Sequence, residues 1–189
     1  MSITYTLDNT SVIQIKDKQF ELFITEKVIT EAVCMVSKLI HDDLHDKNPV
    51  FIAVLNGAFM FASDLIKQLD FPCEITFIRL KSYQGTDSSG NIREVENLID
   101  DIEDRHVVIV EDIIDTGYTI QYLKQSILTK YPKSLRIATL LFKPEALRTE
   151  IKADYVAMEI PNDFIVGYGL DYDGHGRNLR DIYKIKENV

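Results

Sequence analysis

The stretch Val107-Val-Ile-Val-Glu-Asp-Ile-Ile-Asp-Thr-Gly-Tyr-Thr119 constrains this chain more than any other. Its first four residues are all β-branched and apolar, which suits a strand covered on both faces, the habit of parallel sheets. Such a strand needs parallel neighbours and helices packed above and below it, and the rest of the chain supplies them. Val28, Ile29, Ala32, Val33, Val36, Leu39 and Ile40 recur at helical spacing and predict a helix over 25–45, with Thr25 as its N-cap. Val50 to Leu55 reads as a strand ended by Asn56-Gly57, Ala58 to Leu69 as a helix closed before Pro72, and Glu74 to Leu80 as a second strand. Beyond the acidic stretch, Ile120, Leu123, Ile127 and Tyr131 predict a helix stopped at Pro132. Leu135 to Phe142 and then Tyr155 to Met158 predict strands, while the tail from Phe164 to Ile185 reads as irregular. Alternation of this kind predicts an α/β fold with a central, mostly parallel sheet flanked by helices. The length of 189 residues fits a single domain over 1–189.

The buried run ends in Glu111 and Asp112, with Asp115 three residues on. Ligands of open α/β sheets sit at the carboxyl ends of strands. Adjacent carboxylates there repel one another unless they meet cations or hydroxyl donors, and a sugar diol with a divalent metal meets that need. Thr116-Gly117-Tyr118-Thr119 follows at a helix start, where free backbone N–H groups favour a phosphate. Two plainer readings compete. Asp115 or Thr116 is a helix cap beyond a solvated strand end, or Asp115-Thr-Gly is the tripeptide of an aspartic protease, which requires a second copy that the chain lacks.

Composition narrows the partners. A net charge of −9 disfavours nucleic acid and anionic membranes, which demand clustered Lys and Arg. No apolar run approaches the roughly 18 residues of a membrane span. The first residues lack a basic segment followed by an apolar one. Cys34 and Cys73 are too few for a disulfide framework and read as reduced core thiols. The expectation is a cytoplasmic protein with no nucleic-acid and no membrane partner. Lys81 to Glu96, polar and interrupted by Gly85 and Gly90, reads as a lid or binding loop.

Residues 107–117 resemble the phosphoribosyl-diphosphate motif of the type I phosphoribosyltransferases. Leu55-Asn-Gly57, Lys81-Ser-Tyr83, Leu141-Phe-Lys143 and Phe164-Ile-Val-Gly-Tyr-Gly-Leu-Asp-Tyr172 resemble further segments of the hypoxanthine phosphoribosyltransferase branch, in the same order. Five segments in register are far more specific than the acidic motif alone. The resemblance implies transfer of a phosphoribosyl group from phosphoribosyl diphosphate to a 6-oxopurine, hypoxanthine and also guanine, with magnesium as cofactor. It implies a small hood from the chain ends, built partly from 155–189, a mobile loop over the site at about 81–96, and a homodimer or homotetramer.

Carried over residue by residue, the resemblance places Glu111 and Asp112 on the ribose hydroxyls, with magnesium near Asp171, Glu111 and Asp112. Asp115 would accept the proton of purine N7 or hydrogen-bond to it. Thr116, Gly117, Tyr118 and Thr119 would cradle the 5′-phosphate. Asn56 and Gly57 would meet the pyrophosphate through their backbone, and Arg177 through its charge. Lys143 would donate to the exocyclic O6, Phe164 would stack on the base, and Ile165 would offer a carbonyl. Ser82 and Tyr83 would close over the reacting centre. Two positions depart from the family. Asn56 stands where lysine is common, so a positive charge is missing beside the leaving group. Tyr118 likewise replaces a lysine of the phosphate loop. The competing functional class is a nucleotide-sensing regulator that kept the fold and lost the chemistry. It would be expected to lose a carboxylate or the Ser-Tyr pair, and this chain has all of them.

Overall fold

The computed structural model describes residues 12–82, 92–96 and 101–186. Two strands, β1 (Val12–Ile15) and β2 (Lys18–Ile24), precede a long helix α1 (Glu26–Leu44), followed by β3 (Val50–Leu55), α2 (Phe59–Lys67), β4 (Glu74–Ser82) and β5 (Ile92–Glu96). Then come β6 (His106–Ile114), α3 (Tyr118–Leu128), β7 (Ser134–Phe142), β8 (Tyr155–Glu159), β9 (Ile165–Val166) and β10 (Ile182–Ile185). The Thr25 side chain caps α1 by accepting from the Val28 N–H, as the sequence predicts.

The main sheet has the order β5-β4-β3-β6-β7-β8. All its pairings are parallel except that of β5, which runs antiparallel along β4. Counted in chain order, the parallel strands lie 2-1-3-4-5, a doubly wound arrangement whose direction of winding reverses between β3 and β6. Residues Val107 to Val110 are fully buried. Val108 and Val110 pack beneath α1 and α2, while Val107 and Ile109 pack against α3. At about 1.5–3 kcal/mol for each apolar side chain removed from water, this strand is a principal source of stability.

The structure corrects the sequence reading in three places. The strand β6 does not stop at Val110 but continues through Glu111 and Asp112 to Ile114, because β7 keeps pairing with it as far as Ile114–Phe142. Both carboxylates are therefore buried within the sheet, at 6% and 8% exposure, and are no solvated strand end. The polar segment 81–96 is not loop throughout: β4 extends to Ser82, and 92–96 form β5. Tyr83 and the intervening positions lie outside the described residues. The tail is not irregular either. Strands β9 and β10 join β1 and β2 in a second, antiparallel sheet of order β1-β2-β10-β9, with Ile15, Phe20 and Val166 at its core. Both chain ends thus build the hood, but Tyr155–Glu159 belongs to the main sheet and not to it.

One polar cluster locks α1 to the sheet. The Asp43 carboxylate accepts from the Tyr155 hydroxyl at 2.7 Å and from Arg136 Nε at 3.1 Å, and pairs with Lys47 at 3.1 Å. The Tyr155 hydrogen bond and then the two cations hold Asp43 down from 3.8 to about 2, against the opposing effect of burial. A carboxylate held low in the folded chain adds stability above its unfolded pKa and loses it as the pH falls towards 2. Asp43→Asn is expected to cost about 1.5–3 kcal/mol at pH 7, the scale of hydrogen bonds to a charged group. Melting curves of variant and parent should converge as the pH falls from about 4 to 2. A constant gap across that window would contradict the assignment.

Candidate active site

At the reversal point, β3 ends at Leu55 while β6 runs on, since the two are paired only from Val50–Val107 to Ala53–Val110. The overhang leaves a notch at the carboxyl end of the sheet, filled by the turn Leu55-Asn56-Gly57, whose Leu55–Asn56 peptide is cis. A cleft of about 470 Å³ opens there. Of the side chains expected from sequence, Gly57, Glu111, Asp112, Asp115, Thr119, Lys143, Phe164, Ile165, Asp171 and Arg177 all line it. Asn56, Thr116, Gly117 and Tyr118 do not, and the Tyr118 side chain is exposed. Tyr118 stands at the first turn of α3, so any role there falls to its backbone.

Gly57 lies directly against Asp112. A Cβ on Gly57 would sit 1.6 Å from Asp112 Oδ2, so no other residue fits without moving the carboxylate. The Gly57 carbonyl in turn abuts Gly169, where a Cβ would approach within 2.1 Å of it. Asp112 Oδ1 accepts from the Ile113 N–H at 3.0 Å. The neighbouring Glu111 has one oxygen, Oε2, buried without a hydrogen-bond partner. Burial, and then the charge of Asp112, push the Glu111 carboxyl well above the usual carboxylate range. A buried acceptor pair of this kind calls for donors that arrive from outside the chain.

Next to it, Gly117 adopts φ +85 at the N-cap of α3, and no side chain caps that helix. Its first N–H groups are left to point at an incoming anion, a use that the helix dipole favours. The loop is braced from behind. The Arg148 N–H donates to the Thr116 carbonyl at 3.0 Å, and Thr149 fills the space a Gly117 side chain would need. On the opposite wall, the Lys143 ammonium is buried and pairs with Asp115 at 3.0 Å. Phe164 presents a ring that is 46% exposed. Arg177 pairs with Asp171 at 2.6 Å and also donates to the Gly169 carbonyl at 2.6 Å.

The three carboxylates expected around a metal, Glu111, Asp112 and Asp171, do not gather into one cluster able to hold an ion among the described residues. Asp171 is turned instead towards Arg177 and the Gly174 N–H. The free donors in the cleft are nevertheless hard carboxylate oxygens, including the orphaned Glu111 Oε2. They fit magnesium, which keeps several waters and takes one or two protein carboxylates together with substrate oxygens.

The positive charge that Asn56 lacks stands beside it. Arg79 Nη2 donates to Asn56 Oδ1 at 2.9 Å, although neither side chain lines the cleft. Leu80, Ile113 and Leu170 complete the apolar wall and were not foreseen. Only their placement in the fold, by strand register for Leu80 and Ile113 and by the Gly167–Leu170 bridge for Leu170, distinguishes them from ordinary core residues. Lys16, Asp17 and Lys18, which do not line the cleft but contact Asp173, Tyr172 and Phe164 beside it, were missed as well, for want of any motif there.

Comparison with known proteins agrees with this geometry. The family model for the phosphoribosyl transferase domain matches residues 24–173. The chain is 42% identical over 170 residues to the hypoxanthine-guanine phosphoribosyltransferase of Streptococcus pneumoniae, covering 89% of this chain and 94% of that one. The chain belongs to the hypoxanthine-guanine phosphoribosyltransferases. Among solved structures, the hypoxanthine-guanine phosphoribosyltransferase of Bacillus anthracis superposes with a TM-score of 0.79 at 35% identity, over 88% of this chain and 97% of that one. The hypoxanthine phosphoribosyltransferase of Staphylococcus aureus gives a TM-score of 0.79 at 37% identity, over 88% and 91%.

The Gly57–Asp112 contact yields a direct test. Gly57→Ala should lower kcat/KM for phosphoribosyl transfer about 10²-fold, the effect of roughly 1 Å of misplacement at a reacting centre. Far-UV circular dichroism should remain that of the parent. Parental activity in this variant would show that the carboxylate can move without consequence.

Proposed function

We propose that this chain transfers the 5-phosphoribosyl group from phosphoribosyl diphosphate to hypoxanthine, and also to guanine, in purine salvage. The products are the nucleoside monophosphate and pyrophosphate. The observation that carries the choice of base is the Lys143–Asp115 pair. A 6-oxopurine presents an acceptor, O6, and a protonated N7 side by side on one edge. An ammonium and a carboxylate 3.0 Å apart complement that edge. Adenine would set an amino donor against a buried ammonium, and unpaired buried donors discriminate strongly.

The bond from N9 to the anomeric carbon forms as the bond from that carbon to the pyrophosphate oxygen breaks, and the electron pair leaves with pyrophosphate. Positive charge that develops on the ribose, as in glycoside chemistry, faces Glu111 and Asp112, which also accept from its hydroxyls. Asp115 takes up, or hydrogen-bonds to, the proton on N7. The backbone of Thr116, Gly117, Tyr118 and Thr119 holds the 5′-phosphate. Arg177 and the Asn56-Gly57 turn receive the pyrophosphate. Phe164 stacks on the base, and Ile165 offers its carbonyl to it. Asp112, Glu111 or Asp171 would hold magnesium, which would neutralise charge on the leaving pyrophosphate. Ser82 and Tyr83 are assigned to closure over the site, which would exclude water.

The chain is read as one domain, working in the cytoplasm as a homodimer or homotetramer. No helix among the described residues is long and apolar enough to cross a membrane. With hypoxanthine, phosphoribosyl diphosphate and magnesium, the protein should form inosine monophosphate. Asp115→Ala should lower kcat by about 10²–10⁴, the range for an acid–base group. Nucleotide binding without turnover in the unmodified protein would point to the regulator instead.

A further inference from the structure

The β1–β2 turn is clasped onto the segment that carries Phe164 and Asp171. The Tyr172 hydroxyl donates to Asp17 Oδ1 at 2.8 Å, and Lys16 forms an ion pair with Asp173. Lys18 completes the contact. Its ammonium lies 4.8 Å from the centroid of the Tyr172 ring and 5.5 Å from that of Phe164. Phe164 and Tyr172 meet edge to face at 5.8 Å, and Phe20 touches both at 6.2 and 6.0 Å. Lys16 keeps φ +52 in this turn, a conformation that glycine or asparagine adopts at lower cost. Its side chain is committed to Asp173 at the same position.

This arrangement has a consequence for the base. Phe164 is the exposed aromatic of the cleft, and an exposed ring on a loop has several rotamers to choose from. Three contacts remove that freedom: Phe20, the Tyr172 edge and the Lys18 cation. A cation near an aromatic face is attracted by the ring quadrupole. A pre-set ring gives up less conformational entropy when a purine stacks on it.

We propose that Lys18 is a positioning residue for the purine site, fixing Phe164 through the Lys18–Phe164–Tyr172 cluster and thereby setting affinity for the base. The inference rests on Phe164 as the stacking surface for a 6-oxopurine. Lys16 and Asp17 act with it by anchoring the turn to Tyr172 and Asp173. The phosphate side of the cleft, at Gly117 and Gly57, makes none of these contacts. The effect should therefore fall on one substrate and spare the other.

The test compares Lys18→Met, which keeps the apolar stem and removes the charge, with Lys18→Arg, which keeps the charge. Lys18→Met should raise KM for hypoxanthine about three- to fivefold, the scale of a partly exposed cation–π contact. KM for phosphoribosyl diphosphate and kcat should stay within about twofold of the parent, and Lys18→Arg should restore the hypoxanthine KM. Calorimetric titration with inosine monophosphate should show the same ranking of the three proteins without turnover. An unchanged hypoxanthine KM in Lys18→Met overturns the proposal and leaves the assigned reaction standing. So does a parallel rise in both KM values, the mark of a general loosening of the hood. Failure of the unmodified protein to form inosine monophosphate overturns the assigned reaction, and this role with it.

Discussion

The contact between Gly57 and Asp112 ties the turn that closes β3 to the buried end of β6, where the cleft opens. The buried strand β6 outruns its neighbour β3, and the turn that closes β3 folds into the notch so tightly that a single added carbon would collide with the carboxylate. Reversal of winding in a doubly wound sheet always leaves a crevice at this place. Here the crevice is lined on one side by two adjacent buried carboxylates, an arrangement the chain does not satisfy by itself. The sheet bears that cost because its core is secured elsewhere, by the apolar strands and by α1, α2 and α3. Stability and unsatisfied polarity are separated along one strand, at the boundary between Val110 and Glu111.

Much of the fold was legible in the sequence because continuous apolar runs and helical periodicities are local signals. The span of α1, the core of β6 and the alternation of strand and helix follow from them. The extent of β6 was not legible: carboxylates look like a strand end until β7 is known to pair beyond them. The hood was legible even less. Its strands come from opposite ends of the chain, and β9 is two residues long, too short for any period to show. In the cleft, the acidic motif carried a chemical signal that stands out from its surroundings, whereas Lys143 was legible only through the family resemblance of its segment. Leu80, Ile113, Leu170 and Lys18 carried neither, since an apolar residue or a lone lysine gains meaning only from what a distant segment brings beside it.

The strongly acidic composition is reconciled with a phosphate-rich substrate by the same geometry. To the phosphates, on the proposed assignments, the chain would offer backbone N–H groups at the uncapped start of α3 and one guanidinium, Arg177, already aligned by Asp171 and the Gly169 carbonyl. Positive charge is placed singly and backed by a carboxylate, as with Lys143 and Asp115. At Asn56 the neighbouring positive charge comes from Arg79 on the adjacent strand, bonded to the neutral amide oxygen and outside the cleft lining.

The stacking of Gly169 on Gly57 and of Gly57 on Asp112 joins three segments assigned to different parts of the substrate. In the proposed reaction the Gly57 turn is assigned to the leaving group and Asp112 to the sugar, and Gly169 opens the segment that carries Asp171 and Arg177. Gly57 and Gly169 place no side chain of their own in this stack, so a displacement of one backbone is passed directly to the other and to the Asp112 carboxylate. On those assignments, a change that retunes recognition of the sugar carries recognition of the departing group along with it.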